Sequence, residues 1–102
     1  MSLKKQYLKS KPQCKVTFRV PKAAVPEAKT VHIVGEFNAW STMKTPMKRL
    51  KSGDFTAVVN LAAGQAYQFR YLIDQIRWEN DWEADRYVKC DFGDCDNSVV
   101  VI

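Results

Sequence analysis

The amino-acid sequence predicts an all-β protein, an antiparallel β-sandwich of immunoglobulin-like type. Three observations carry that expectation. Segments of apolar–polar alternation, the period of a half-buried strand, recur along the 102 residues. Turn-forming residues interrupt them about every ten positions. No window repeats apolar residues at the spacing of an amphipathic helix. About six to eight short strands divided in this way fit a sandwich, and a chain of this length makes one domain with a modest core.

Residues 1–12 have weak periodicity and stop at Pro12, so they read as a basic leader ahead of a sandwich spanning 13–102. In "KVTFRV", Val16, Phe18 and Val20 point one way and Lys15, Thr17 and Arg19 the other. "PKAAVPEAKT" carries two prolines and reads as a loop. "VHIVG" is the next strand. It runs into "EFNAWS", where Gly35 opens a turn, Phe37 anchors it in the core, Asn38 ties it through its side chain and Trp40 is turned outward. A short strand follows in "MKRLKSGDF" and turns at Ser52, Gly53 and Asp54. Phe55, Ala57, Val59 and Leu61 share one face of "FTAVVNL". "YQFRYLID" alternates most cleanly: Tyr67, Phe69, Tyr71 and Ile73 inward, Gln68, Arg70, Leu72 and Asp74 on the other face. A polar stretch over 75–86 leads to "YVK", and "SVVVI" is the last strand.

Composition narrows the function classes. Hydrophobic residues at 46% and aromatics at 12% argue for a folded domain. No apolar run approaches the ~18 residues of a membrane span, and the lysines of the N-terminus lack the apolar segment of a signal peptide. The net charge is +5, but residues 1–22 hold seven basic side chains and no acid. The other 80 residues hold nine basic and 11 acidic ones, a balance of −2. A nucleic-acid module more often spreads its charge over the folded body, so neither nucleic acid nor membrane is an expected partner. Cys14, Cys90 and Cys95 do not form a C-x-x-C pair. The expectation is a reducing, cytoplasmic setting without the disulfide usual in such sandwiches.

Catalytic patterns are absent. His32 is the single histidine and sits mid-strand, Ser41 lacks a G-x-S-x-G context, and no glycine-rich phosphate loop exists. The acidic run Glu79, Asp81, Glu83, Asp85, Asp91, Asp94 and Asp96 fits no calcium loop and reads as a solvated rim. No metal and no cofactor are expected. The aromatics are more informative. Trp40, Trp78 and Trp82 lie in loops or at strand ends. Trp82 reads as a core residue tucked under a loop. Trp40 and Trp78 read as exposed platforms, because a flat indole covers the apolar C–H face of a pyranose while nearby polar side chains bond its hydroxyls.

"VHIVGEFNAWS", "TPMKRLKSGDFTAVVNLAAGQAYQFRYLID" and "DFGDCDNSVVVI" resemble, in that order, carbohydrate-binding module family 48. This is the early-set domain that precedes the barrel of isoamylases and glycogen-branching enzymes. It is also similar to the glycogen-binding domain of the AMP-activated protein kinase β subunit. The resemblance implies an early-set sandwich, without a catalytic domain of its own, that binds α-1,4-glucan or maltooligosaccharide. It puts the two tryptophan platforms on Trp40 and Trp78, the basic residue of the aromatic strand on Arg70, and the loop over the sugar on Phe92, Asp94 and Asp96. Gln75 stands where the family has a turn glycine, and Asp94 and Asp96 replace a hydroxyl and an amide. A competing reading is a protein–protein adaptor docking a glycan-metabolising enzyme.

Overall fold

The computed structural model describes residues 2–90 and 95–102. Among them are nine strands: β1 (Ser2–Tyr7), β2 (Gln13–Val20), β3 (Val31–Gly35), β4 (Lys48–Arg49), β5 (Phe55–Ala62), β6 (Ala66–Ile73), β7 (Arg77–Glu79), β8 (Arg86–Lys89) and β9 (Asp96–Val101). Helical structure among these residues is limited to single 3-10 turns at Lys22–Ala24 and Glu36–Asn38. One sheet runs β1-β2-β5-β4 and the other β3-β6-β9-β8, with β7 added to β6. All pairings are antiparallel. The expected sandwich is the fold observed.

The alternation seen in sequence builds the layers. Cys14, Val16, Phe18 and Val20 of β2 are buried, and Phe69, Tyr71 and Ile73 of β6 face them from the other sheet. Phe18 bridges the two, its ring 5.1 Å from Phe69 in an edge contact and 5.9 Å from Phe37. The outward face of β6, carrying Gln68 and Arg70, is thereby left as one outer surface of the sandwich. Burying apolar side chains of this size stabilises by about 1.5–3 kcal/mol each.

Four expectations need correction. Residues 2–7, read as part of a leader, form edge strand β1 along the whole of β2, from Ser2 opposite Arg19 to Tyr7 opposite Cys14. A half-buried Leu3 packs on the core, and Lys5 reaches Asp85 at 2.6 Å across the open side of the sandwich. The strand was hard to read because an edge strand buries only one side chain in two against the core and keeps lysines elsewhere. The expectation of no disulfide also fails, since Cys90 and Cys95 are bridged. The β8–β9 ladder returns the chain on itself and brings their Cα atoms to 5.4 Å, within bridging reach. Asp81 is not on a solvated rim but fully buried, accepting from the Tyr71 hydroxyl at 2.7 Å and from the Glu83 N–H at 2.8 Å. Burial, then the charge of Asp81 and this bond, push the Tyr71 phenol up. Trp82 is 60% exposed rather than packed under its loop.

Candidate functional site

The turn after β3 is built from a buried asparagine. Asn38 accepts from the Gly35 N–H at 3.0 Å through Oδ1, and Nδ2 donates to the Ile33 carbonyl at 2.9 Å and to Thr45 Oγ1 at 3.0 Å. Gly35 is required by space rather than by φ. A Cβ there would lie 2.6 Å from the Gln68 carbonyl oxygen and 2.8 Å from Phe69 Cβ. Phe37 turns inward between Phe18 and Tyr67. Ala39 and Trp40 then take left-handed backbone conformations, with φ of 57° and 58°. The Trp40 N–H closes the turn on the Gly35 carbonyl at 2.9 Å. The chain reverses within a few residues and leaves the indole 41% exposed.

Trp78 arrives from the other side. The tight turn after β6 places Asp74 and Gln75 at φ of 51° and 60°. Asp74 accepts from the Lys29 and Thr30 N–H groups, and Gln75 Nε2 donates to the Thr42 carbonyl. These bonds hold without glycine the turn that normally requires it. The turn registers Trp78 opposite Leu72, on the same face of the sheet as Gln68 and Arg70. Trp78 is 44% exposed, and the Arg70 guanidinium lies over its ring, 5.9 Å from the centroid.

These residues meet at one groove of about 720 Å³ on the outer face of the β6–β9 sheet. Trp40 and Trp78 line it together with Arg70. Glu36, Gln68 and Asn97 supply the remaining polar lining, and the Cys90–Cys95 bridge borders it. Glu36 Oε1 accepts from the Gln68 N–H at 2.6 Å, which pins the first turn residue to β6. Arg70 donates from Nε to Asn97 Oδ1 at 2.7 Å, and Asn97 Nδ2 donates to Gln68 Oε1 at 2.9 Å. The groove thus combines two part-exposed indoles, a cation and amide and carboxylate oxygens, a set suited to a flat ligand edged with hydroxyls.

Of the residues singled out in sequence, Trp40, Arg70 and Trp78 come together. Phe92 and Asp94 lie outside the described residues. Asp96 begins β9, exposed, with its carbonyl accepting from Asn80 Nδ2, and does not line the groove. Its neighbour Asn97 lines it instead. Glu36, Gln68, Asn97, Cys90 and Cys95 were not anticipated. Gln68 could have been found, since it shares the outward phase of Arg70; Asn97 could not, because its role depends on a strand 27 positions away from Arg70.

No helix among the described residues is long and apolar enough to cross a membrane. No curated protein matches the chain. The family model describing the glycogen recognition site of AMP-activated protein kinase matches residues 25–102, a segment that contains every groove residue named above. The chain, with its β-sandwich and indole-lined groove, therefore belongs to the carbohydrate-binding family of that glycogen recognition site.

Proposed function

We propose that this groove binds α-1,4-glucan, as glycogen-like polysaccharide or maltooligosaccharide, and that the module does so without catalysis. The observation that supports it is the convergence of Trp40, Trp78 and Arg70 on one open groove in a glycogen-recognition family member. Each indole covers the C–H face of a glucose ring. The Arg70 guanidinium, a donor only, bonds hydroxyl oxygens at the rim, and the Glu36 carboxylate accepts from hydroxyls. Titration with maltoheptaose tests the reading, alongside Trp40→Ala and Trp78→Ala. Each substitution is expected to cost about 1–3 kcal/mol of binding, by analogy with base stacking on aromatics. Stability should change by about half a kcal/mol, as for exposed positions. A stability loss of several kcal/mol would instead make the indoles core residues, and absence of maltoheptaose binding by the parent would defeat the reading.

A second reading, an adaptor docking a glycan-metabolising enzyme, is favoured by the exposed Ile76 and Trp82, which the groove does not use. Under it, Ile76→Ser and Trp82→Ser weaken enzyme docking and leave maltoheptaose affinity unchanged. The Cys90–Cys95 bridge runs against the reducing, cytoplasmic setting expected from the cysteine pattern.

A further inference from the structure

Asn97 is only 7% exposed, yet it borders the groove. Both ends of its carboxamide are engaged: Oδ1 holds Arg70 Nε at 2.7 Å, and Nδ2 holds Gln68 Oε1 at 2.9 Å. Arg70 is restrained in two independent ways. Asn97 grips it in the plane of the guanidinium, and Trp78 covers one face of the same group. Its terminal nitrogens make no hydrogen bond among the described residues, so the end of the fork is what the groove receives.

An arginine on an open sheet face has four flexible torsions. Ordering such a side chain when a ligand arrives subtracts from affinity. We propose that Asn97 is a positioning residue for the glucan groove. It fixes Arg70 before the ligand binds, so that the terminal N–H groups meet an adjacent pair of sugar hydroxyls already oriented, and it does this without touching the sugar. This inference rests on the α-glucan reading of the groove. It also explains why an amide occupies the position. One end of the group accepts from Arg70 Nε and the other bonds the Gln68 amide, which neither a hydroxyl of shorter reach nor an apolar side chain can do at both distances.

The competing account is that Asn97 only satisfies polar groups between β6 and β9. Maltoheptaose titrations of the parent, Asn97→Ala, Asn97→Asp, Arg70→Ala and the Asn97→Ala/Arg70→Ala double variant separate the two. Asn97→Ala should weaken binding about three- to tenfold, the worth of one ordered side chain. Asn97→Asp should restore most of that, because its carboxylate still accepts from Nε while the Gln68 amide can turn to donate. In the Arg70→Ala background, Asn97→Ala should add less than about twofold, since the residue it positions is gone. A second readout needs no sugar. The Arg70 Nε–H proton should exchange slowly with solvent in the parent and fast in Asn97→Ala. If Asn97→Ala does not fold, Asn97→Leu, of similar volume but with no acceptor, takes its place. Equal loss from Asn97→Ala with and without Arg70, or fast Nε–H exchange in the parent, overturns the proposal while the glucan reading stands. A parent that binds no maltoheptaose overturns the glucan reading and the role of Asn97 in it.

Discussion

Ala39 and Trp40 both sit in the left-handed region, where a Cβ crowds the following carbonyl and costs about 1 kcal/mol per residue. At Trp40 the side chain lines the groove. Ala39 is exposed, so its methyl group adds little packing. Ala39→Gly is therefore expected to stabilise the protein by at most about 0.5 kcal/mol, because added entropy of the unfolded chain offsets much of the relieved strain, and to leave maltoheptaose affinity unchanged. Chemical denaturation measures it; a lower midpoint would show that the turn relies on something other than the Asn38 bonds. The residue scale was partly legible in sequence. A tryptophan following a Phe–Asn turn and an arginine on the outward phase of an alternating strand are visible without a structure. Gln68 shares that outward phase, but Asn97 is not legible, because its role comes from Arg70 and Gln68 across a strand pair.

At the scale of elements, two connections are held by groups whose chemistry can be switched. Asp74 accepts from the Thr30 and Lys29 N–H groups, and these bonds hold its carboxyl below the ordinary value of 3.8. Asp54 is lowered by the Lys22 N–H and then by Arg19, which it meets at 2.8 Å. At Asp85, burial pushes the carboxyl up, but Lys5 and the Val101 N–H outweigh it, and it too lies low. A carboxyl depressed in the folded state binds fewer protons there than in the unfolded chain. Its contribution is complete above the unfolded value and disappears as pH falls through the folded one. Stability should thus be flat near neutrality and fall below about pH 4. Asp74→Asn should flatten that acid limb, and an unchanged limb would remove Asp74 from the cause. The second connection is the Cys90–Cys95 ring. Closing so short a loop stabilises by about 2 kcal/mol on chain entropy, so dithiothreitol should lower the denaturation midpoint of the parent but not of Cys90→Ser/Cys95→Ser. Cys14 is fully buried, so the native oxidised protein should show no fast-reacting thiol. Two fast-reacting thiols would mean that the ring is open. Spacing alone did not reveal this bridge, since what pairs two cysteines is the return of a hairpin and not their separation along the chain.

Across the whole molecule, the period-two pattern located the sheets because each strand interior faces a single core, and a one-residue slip would turn Phe18, Phe69 and Tyr71 into water. That argument weakens at the sandwich margin. There β1 closes the molecule with a half-buried Leu3 and an ion pair from Lys5 to Asp85, and the surplus of basic residues in positions 1–22 belongs largely to two paired strands rather than to a loose leader. The family match begins at residue 25 and so covers neither strand. Removing residues 1–8 tests what β1 contributes. The truncated chain loses the β1–β2 ladder, the packing of Leu3 on the core and the Lys5 partner of Asp85. The half-burial of Leu3 is worth about 1 kcal/mol, and the exposed ion pair adds at most about 1 kcal/mol. A loss of about 1–3 kcal/mol is therefore expected once the ladder is included. Deletion also turns β2 into an open edge with an alternating apolar face, which favours strand-to-strand association. The truncated protein should accordingly unfold at a lower denaturant midpoint and self-associate as concentration rises, while its groove, on the other sheet, keeps its maltoheptaose affinity. An unchanged midpoint together with a monomeric truncated protein would return residues 1–8 to the status of a leader.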